Sequence, residues 1–177
     1  MDYMITIISG TNRANSLTAK FAEQYRILLS QHETCLTFTL ADLPIDVLNL
    51  DVYEKGKKSQ KIIELQEKYF LNSEKFVFIF PEYNGSFPGI LKVLIDVLDP
   101  KLSFSGKKAG LIGLATGRAG NLRGLDHMTS VLNHMNTSVM PYLLPVSRVH
   151  FEFEEDTTFK EGTLKSVKQH IDKMLAF

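Results

Sequence analysis

In the eight residues Ser9-Gly-Thr-Asn-Arg-Ala-Asn-Ser16, the turn after Gly10 offers the hydrogen-bonding side chains of Thr11, Asn12, Asn15 and Ser16 and one guanidinium, Arg13. The stretch follows an apolar, β-branched run, Met4-Ile-Thr-Ile-Ile8, and precedes a segment with helical periodicity. A strand-to-helix turn leaves the first backbone N–H groups of the helix unpaired at the positive end of its dipole, so it attracts a phosphate. Gly10 lets the backbone come close to a ligand. Arg13 adds a full charge and a planar fork suited to a phosphate dianion. The plainer reading, that Asn15 or Ser16 caps the helix, accounts for one polar residue and not for a dense run with an arginine.

A second loop, Pro81-Glu-Tyr-Asn-Gly-Ser86, follows the apolar run Phe76-Val-Phe-Ile-Phe80. Pro81 stiffens the strand exit, and Gly85 permits unusual dihedrals. Tyr83 can flank a flat ring, while Asn84 can hold the loop's shape or donate a hydrogen bond. The plainer reading is a rigid turn with Ser86 capping a helix ahead of Phe87 and Pro88. Both readings can hold, because a rigid turn is what a backbone-reading site requires. A third loop, Ala115-Thr-Gly-Arg-Ala-Gly120, offers Thr116 as a donor, two glycines for close approach, and Arg118. By itself it is an ordinary strand-to-helix turn, and its position gives it weight.

These patterns exclude several nucleotide sites. There is no Gly-Lys-Ser/Thr after a glycine-rich run, as a Walker loop needs, and no Gly-x-Gly-x-x-Gly for a dinucleotide pyrophosphate. No acidic residue ends the first strand, which argues against a phospho-acceptor receiver domain. What remains is a mononucleotide with one phosphate.

The elements that position these loops alternate. Strands are expected at Met4–Ile8, Thr34–Leu40, Phe76–Phe80 and Ala109–Leu114, with a fifth beginning at Ser138–Met140. Leu17, Phe21, Tyr25, Leu28 and Leu29 recur at helical spacing, as do Ile62, Ile63, Leu65, Gln66, Tyr69 and Phe70. Further helices are expected from Pro88, placed in the first turn, to about Asp99, over Leu122–Met135 and over Thr163–Leu175. Residues 41–57 form a long connection broken by Pro44 and Gly56. Alternating strands and helices imply right-handed crossovers and a parallel sheet covered on both faces. The fold class is therefore α/β, a flavodoxin-like three-layer sandwich with a five-stranded parallel sheet of order 2-1-3-4-5. Ligands in such sheets bind beyond the carboxyl ends of the strands, and all three loops lie at that edge.

The chain has 177 residues, 44% hydrophobic and 23% charged, with a formal net charge of +0. This suggests one domain over residues 1–177 with a full core. Zero net charge gives no long-range field for nucleic acid or an anionic membrane. Lys55, Lys57, Lys58 and Lys61 read as a solvated loop and helix start. The single cysteine, Cys35, excludes an intrachain disulfide and reads as an inert thiol on a strand. No secretory signal pattern and no apolar stretch near the roughly 20 residues of a membrane helix is present, so the chain is read as cytoplasmic. His127 and His134, seven residues apart, lack the spacing and partners of a metal site, and no metal is assigned. Phe151-Glu-Phe-Glu-Glu-Asp156 is read as an edge or a loop with no assigned function. The helix after Pro88 is apolar nearly all round, broken only by Lys92 and Asp96. One face should cover the sheet and another should meet a second subunit.

Ser9 to Ser16, together with Pro81-Glu-Tyr-Asn-Gly-Ser-Phe-Pro-Gly-Ile-Leu-Lys92 and Ile95-Asp96, resembles the NADPH-dependent FMN reductase family, which includes azoreductase, quinone reductase and chromate reductase flavoproteins. Gly106-Lys107 and the Thr116–Gly120 turn fall where the family has its next features. The resemblance covers roughly residues 4–145. The chain departs from it at Val93, where the family often has Asn, and at Val97, near which the family has Trp. It departs again at Asn121, where the family often continues a pair of glycines.

The resemblance implies bound FMN, with NAD(P)H as co-substrate. Thr11, Arg13 and Ser16 would bind the phosphate with the loop amides, joined by Ser9, Asn15 and Leu17 of the same turn. Pro81, Glu82, Tyr83, Asn84 and Gly85 would line the isoalloxazine. Thr116 and Gly117, with Arg118, would close the site near the ring. Hydride would pass from the nicotinamide to flavin N5, and electrons would then go to a small-molecule acceptor such as a quinone, an azo compound or free flavin. No side-chain acid or base is needed for the hydride step, so no catalytic residue is nominated. The resemblance also implies a homodimer or homotetramer. The alternative is a flavodoxin-type electron carrier without its own reductase activity, although such carriers are typically strongly acidic.

Overall fold

The structure, a computed structural model, describes residues 4–54 and 56–177. Lys55, one of the four clustered lysines, lies outside the described residues. The parallel sheet is built from β1 (Met4–Ser9), β2 (Cys35–Thr39), β3 (Ser73–Pro81), β4 (Lys108–Leu114), β5 (Ser138–Val139) and β6 (Leu144–Val146), in the order β2-β1-β3-β4-β5 with β6 also on β4. The flavodoxin-like order is as expected; the strand count is not. Both β5 and β6 pair with β4, so two short strands share the fifth position. The chain takes five steps from Val139 to Leu144, while β4 takes three from Ala109 to Ile112. The surplus loops out around Pro141, which has no N–H to give a ladder.

Residues of β3 alternate between two cores, as the pleat demands. Val77 and Ile79 join Ile5, Ile7, Phe21, Tyr25, Val167 and Met174, beneath α1 (Leu17–Leu29) and α6 (Glu161–Ala176). Phe76, Phe78 and Phe80 join Leu65, Leu91, Leu94, Leu125 and Met128. These sit beneath α2 (Gln60–Gln66), α3 (Gly89–Val97) and α5 (Leu122–His134). All five central β3 residues are fully buried, which is why the run carries no polar alternation.

Four local expectations are revised. Pro88 is the residue before α3 rather than in its first turn, with extended backbone at φ −59° and ψ 137°. Ser86 caps no helix; its backbone pairs with Tyr83 and its hydroxyl meets His127. α3 ends at Val97, and a separate short helix, α4 (Pro100–Ser103), is capped by the Asp99 carboxylate. The second apolar face of α3 is covered within the chain. Val97 and Val93 pack against Val47, Val52 and Ile62, because residues 41–54 of the connection fold back across the helix through a 3-10 turn at Ile45–Leu48.

The segment left without a role also gains one. Phe153 stands edge-on to Phe21 at 6.2 Å and pairs with Phe159 across a bridge, so residues 149–159 form a strap over α1. Cys35 is half-buried on β2, and burial pushes its thiol up from the usual range, against a smaller opposing effect of Arg26. No helix among the described residues is long and apolar enough to cross a membrane.

Candidate functional site

Parallel pairing brings the carboxyl ends of β1, β3 and β4 side by side, and the three loops meet there. In the first, Gly10 N–H donates to Ile79 O at 2.8 Å, so the chain leaves β1 tight against β3. A Cβ on Gly10 would stand 2.6 Å from the Phe80 Cβ, so only glycine fits. Thr11 then turns the chain, its hydroxyl accepting from the Arg13 N–H at 3.2 Å. Asn15 sits in the left-handed region at φ 52°, and Ser16 caps α1 by accepting from Ala19 N–H at 3.1 Å. The Leu17 and Thr18 amides, in the first turn of the helix, have no backbone acceptor among the described residues. Arg13 is exposed, with no ion pair to any described residue.

The second loop is a two-residue hairpin. Tyr83 N–H donates to Ser86 O at 2.8 Å and Ser86 N–H donates to Tyr83 O at 3.1 Å. Asn84 and Gly85 have φ of 52° and 79°, as a type I′ turn requires. Glu82 N–H extends the β3–β4 ladder to Leu114 O at 2.8 Å. The hairpin is tied at both ends: Tyr83 Oη lies 2.8 Å from Thr11 Oγ1, and Ser86 Oγ lies 2.9 Å from His127 Nδ1 on α5.

The third loop is stitched to the stretch after β6. Arg148 N–H donates to Gly117 O at 2.9 Å, Val149 N–H to Ala115 O at 3.0 Å, and Ser147 Oγ to Arg118 O at 2.5 Å. Asn121, where the chain departs from paired glycines, is fully buried at φ 62° and donates through Nδ2 to Phe80 O at 3.2 Å. It supplies the left-handed residue ahead of α5 and ties that helix to the strand feeding the second loop.

Between these loops lies a cavity of about 500 Å³. One wall is Arg13, Asn15, Ser16, Leu17, Ala14 and Thr18; the other is Pro81, Glu82, Tyr83, Leu114, Ala115, Thr116 and Val149. Of the expected residues, Arg13, Asn15, Ser16, Leu17, Pro81, Glu82, Tyr83 and Thr116 are brought together. Thr11 supports the wall through Tyr83. Asn84 and Gly85 form the hairpin tip, while Ser9 is buried beneath with its hydroxyl unpartnered. Gly117 and Arg118 lie beyond the lining. Sequence reasoning missed Ala14, Thr18, Leu114 and Ala115, which adjoin expected residues in the chain, and Val149, which does not. No local pattern marks Val149, since it arrives only through its bond to Ala115.

A larger cavity, about 740 Å³, opens at the opposite end of the sheet beside Lys75, Lys107 and Lys108. These ammonium groups donate to backbone carbonyls at chain ends of helices: Lys75 to Met174 and Leu175, Lys107 to Phe70 and Leu71, and Lys108 to Phe177. They act as helix C-terminal caps. The smaller cavity lies at the carboxyl edge, where doubly wound sheets bind ligands. Its donor set matches a mononucleotide: a guanidinium and free helix amides at one end, and a rigid, largely apolar slot at the other.

Residues 3–150 match the NADPH-dependent FMN reductase family. The chain is 31% identical over 134 residues to an NAD(P)H-dependent FMN reductase of Pseudomonas aeruginosa, covering 74% of this chain and 70% of that protein. In fold it is similar to FerB, a flavoenzyme NAD(P)H:(acceptor) oxidoreductase from Paracoccus denitrificans, with a TM-score of 0.79 at 23% identity over 99% and 96% of the two chains. It is also similar to an NADH:FMN oxidoreductase, EMOB, with a TM-score of 0.77 at 21% identity over 99% and 90%. The chain belongs to the NADPH-dependent FMN reductase family, enzymes of flavodoxin-like fold that use FMN as cofactor and NAD(P)H as co-substrate.

Proposed function

We propose that this chain is a single FMN-binding domain that takes reducing equivalents from NAD(P)H and delivers them to a small acceptor such as a quinone, an azo compound or free flavin. The observation that carries this reading is the two-ended character of the 500 Å³ cavity. The FMN phosphate goes to the Arg13 guanidinium and the open amides of Leu17 and Thr18. The ring goes to the slot between Tyr83, Pro81 and the Thr116 turn.

When bound, FMN supplies the hydride acceptor and the electron relay. The chain's own residues bind and orient. Arg13 and the α1 terminus neutralise a dianion. The hairpin, tied by Thr11 and His127, holds its backbone in one shape against the ring edge. Loop 3, stitched to Ser147–Val149, closes the far side. The Glu82 side chain is the one carboxylate in the lining; its backbone is held by Leu114 O, and no proton step is assigned to it.

We further propose a homodimer. With the second face of α3 covered, the apolar surface that a partner copy would take is the one beside it. Ile45 is 75% exposed, and Leu48, Leu50 and Tyr53 are exposed with it.

The test is an anaerobic titration of FMN-reconstituted protein with NADPH, followed by addition of a quinone. The oxidised-flavin absorbance should bleach with NADPH and return with the quinone. Protein that binds FMN but is not reduced by NADPH or NADH would instead be an electron carrier.

A further inference from the structure

Arginine is distributed unevenly in this molecule. Of the chain's five arginines, only Arg26 is ion-paired among the described residues, to Glu23 at 2.6 Å on α1. The other four, Arg13, Arg118, Arg123 and Arg148, all lie at the carboxyl edge of the sheet. Each is exposed, and none of their guanidinium groups makes a hydrogen bond or ion pair with a described residue. The loops that follow β1, β3, β4 and β6, residues 10–16, 81–88, 115–121 and 147–152, contain no lysine and two carboxylates, Glu82 and Glu152. This gathers unpaired arginines, the residue type best suited to phosphate, at one edge of the sheet.

Two of the four are neighbours by construction. Arg148 N–H donates to Gly117 O, and Arg118 O accepts from the Ser147 hydroxyl, so their backbones run side by side. Arg148 also holds a left-handed conformation at φ 47°, uncommon for a non-glycine residue. Each stands close to a lining residue of the flavin cavity: Arg118 two positions after Thr116, and Arg148 immediately before Val149. Neither lines the cavity itself. The single FMN phosphate is already matched by Arg13 and the α1 amides at the other wall. Arg118 and Arg148, exposed and on adjacent backbone, are left free to meet a different anion arriving from solvent beside the ring end.

We propose that Arg118 and Arg148 dock the phosphate groups of the reduced nicotinamide dinucleotide, holding its adenosine half at the rim while the nicotinamide reaches the ring. The proposal rests on the FMN reading above. The phosphates in question are the pyrophosphate, shared by NADH and NADPH, and the 2′-phosphate, present only in NADPH.

The experiment uses the FMN-loaded protein with Arg118→Gln, Arg148→Asn and the double variant; Asn at 148 tolerates the left-handed backbone. KM for NADPH and NADH, and the affinity for adenosine 2′,5′-bisphosphate by calorimetry, are measured beside FMN content. The double variant should keep its FMN and its kcat within about twofold, while KM for NADPH rises about tenfold or more and the bisphosphate binds correspondingly more weakly. The salt dependence of kcat/KM should flatten. A rise for NADPH alone assigns the 2′-phosphate; a rise for both assigns the pyrophosphate. A double variant with native KM and native bisphosphate affinity overturns the proposal. So does loss of FMN from it, which would give these arginines to the cofactor. A native protein that takes no FMN sinks the underlying reading instead.

Discussion

The Tyr83 hydroxyl lies 2.8 Å from the Thr11 hydroxyl, joining the loop after β3 to the loop after β1 across 72 residues of sequence. This contact makes one site of two loops. Thr11 Oγ1 also accepts from the Arg13 amide, so the same oxygen shapes the proposed phosphate turn and anchors the ring-side hairpin. Tyr83→Phe should therefore weaken FMN binding severalfold and lower stability by about 1 kcal/mol, the net value of a typical hydrogen bond. Thr11→Val should cost more, because it also removes the acceptor of the Arg13 amide. The double variant should lose little more than Thr11→Val alone, because the Tyr83 contact is already gone in that variant. Fully additive losses would show that the two hydroxyls act separately.

The hairpin tip depends on Gly85 at φ 79°. Gly85→Ala places a Cβ where the left-handed backbone disfavours it, at a cost of about 1–2 kcal/mol. For a chain of this size that corresponds to a fall in Tm of about 2–8 °C. Asn84→Gly, at φ 52°, should be tolerated with little change. An unchanged Tm in Gly85→Ala would show that the turn rearranges freely.

Gly10→Ala should be worse. The new methyl would meet the Phe80 Cβ at 2.6 Å where Gly10 is held by its bond to Ile79 O and Phe80 by pairing with Gly113 of β4. Overpacking of this kind costs about 1–3 kcal/mol. It would also displace the start of the phosphate turn, so FMN affinity should fall with stability in a urea series.

His170 supplies a pH dependence outside the site. It is fully buried on α6, its Nδ1 lies 2.9 Å from Tyr25 Oη, and Nε2 has no hydrogen-bond partner among the described residues. Burial lowers its pKa to about 4 from 6.5, against a smaller opposing effect of the Leu111 backbone. The unfolded chain therefore binds a proton more readily than the folded one between these values. Stability from a neutral His170 is fully present above about pH 6.5 and is lost as pH falls towards 4. Urea unfolding should give a native state about 2 kcal/mol less stable at pH 5 than at pH 7. His170→Phe should flatten that slope, whatever it does to stability at pH 7. An undiminished slope in the variant would assign the effect to other groups.

Much of this architecture is legible in the residues, for physical reasons. A run such as Phe76–Phe80 has one explanation, a strand covered on both faces, and the alternation of strands and helices then leaves few topologies. The Ser9–Ser16 turn is legible because polar density and an arginine exceed what a cap needs. The fifth sheet position is harder to read, because Pro141 and Pro145 break the pattern of a strand that resumes after two extra residues. Apolarity all round α3 says that both faces are covered; it does not say whether the cover is another chain or residues 45–52. Val149 joins the cavity and Ser86 joins His127 only through tertiary pairing, which leaves no local signature.

The central claim is that the cavity reads the phosphate of FMN at one end and the ring at the other. It is tested most directly by comparing the dissociation constants of FMN and riboflavin, which share the ring and differ in the phosphate, by quenching of flavin fluorescence in native protein and in Arg13→Ala. Native protein should bind FMN about 100-fold or more tightly than riboflavin, and Arg13→Ala should narrow the gap about tenfold by weakening FMN alone. Equal affinities for the two flavins, or an Arg13→Ala variant with native discrimination, would contradict the account.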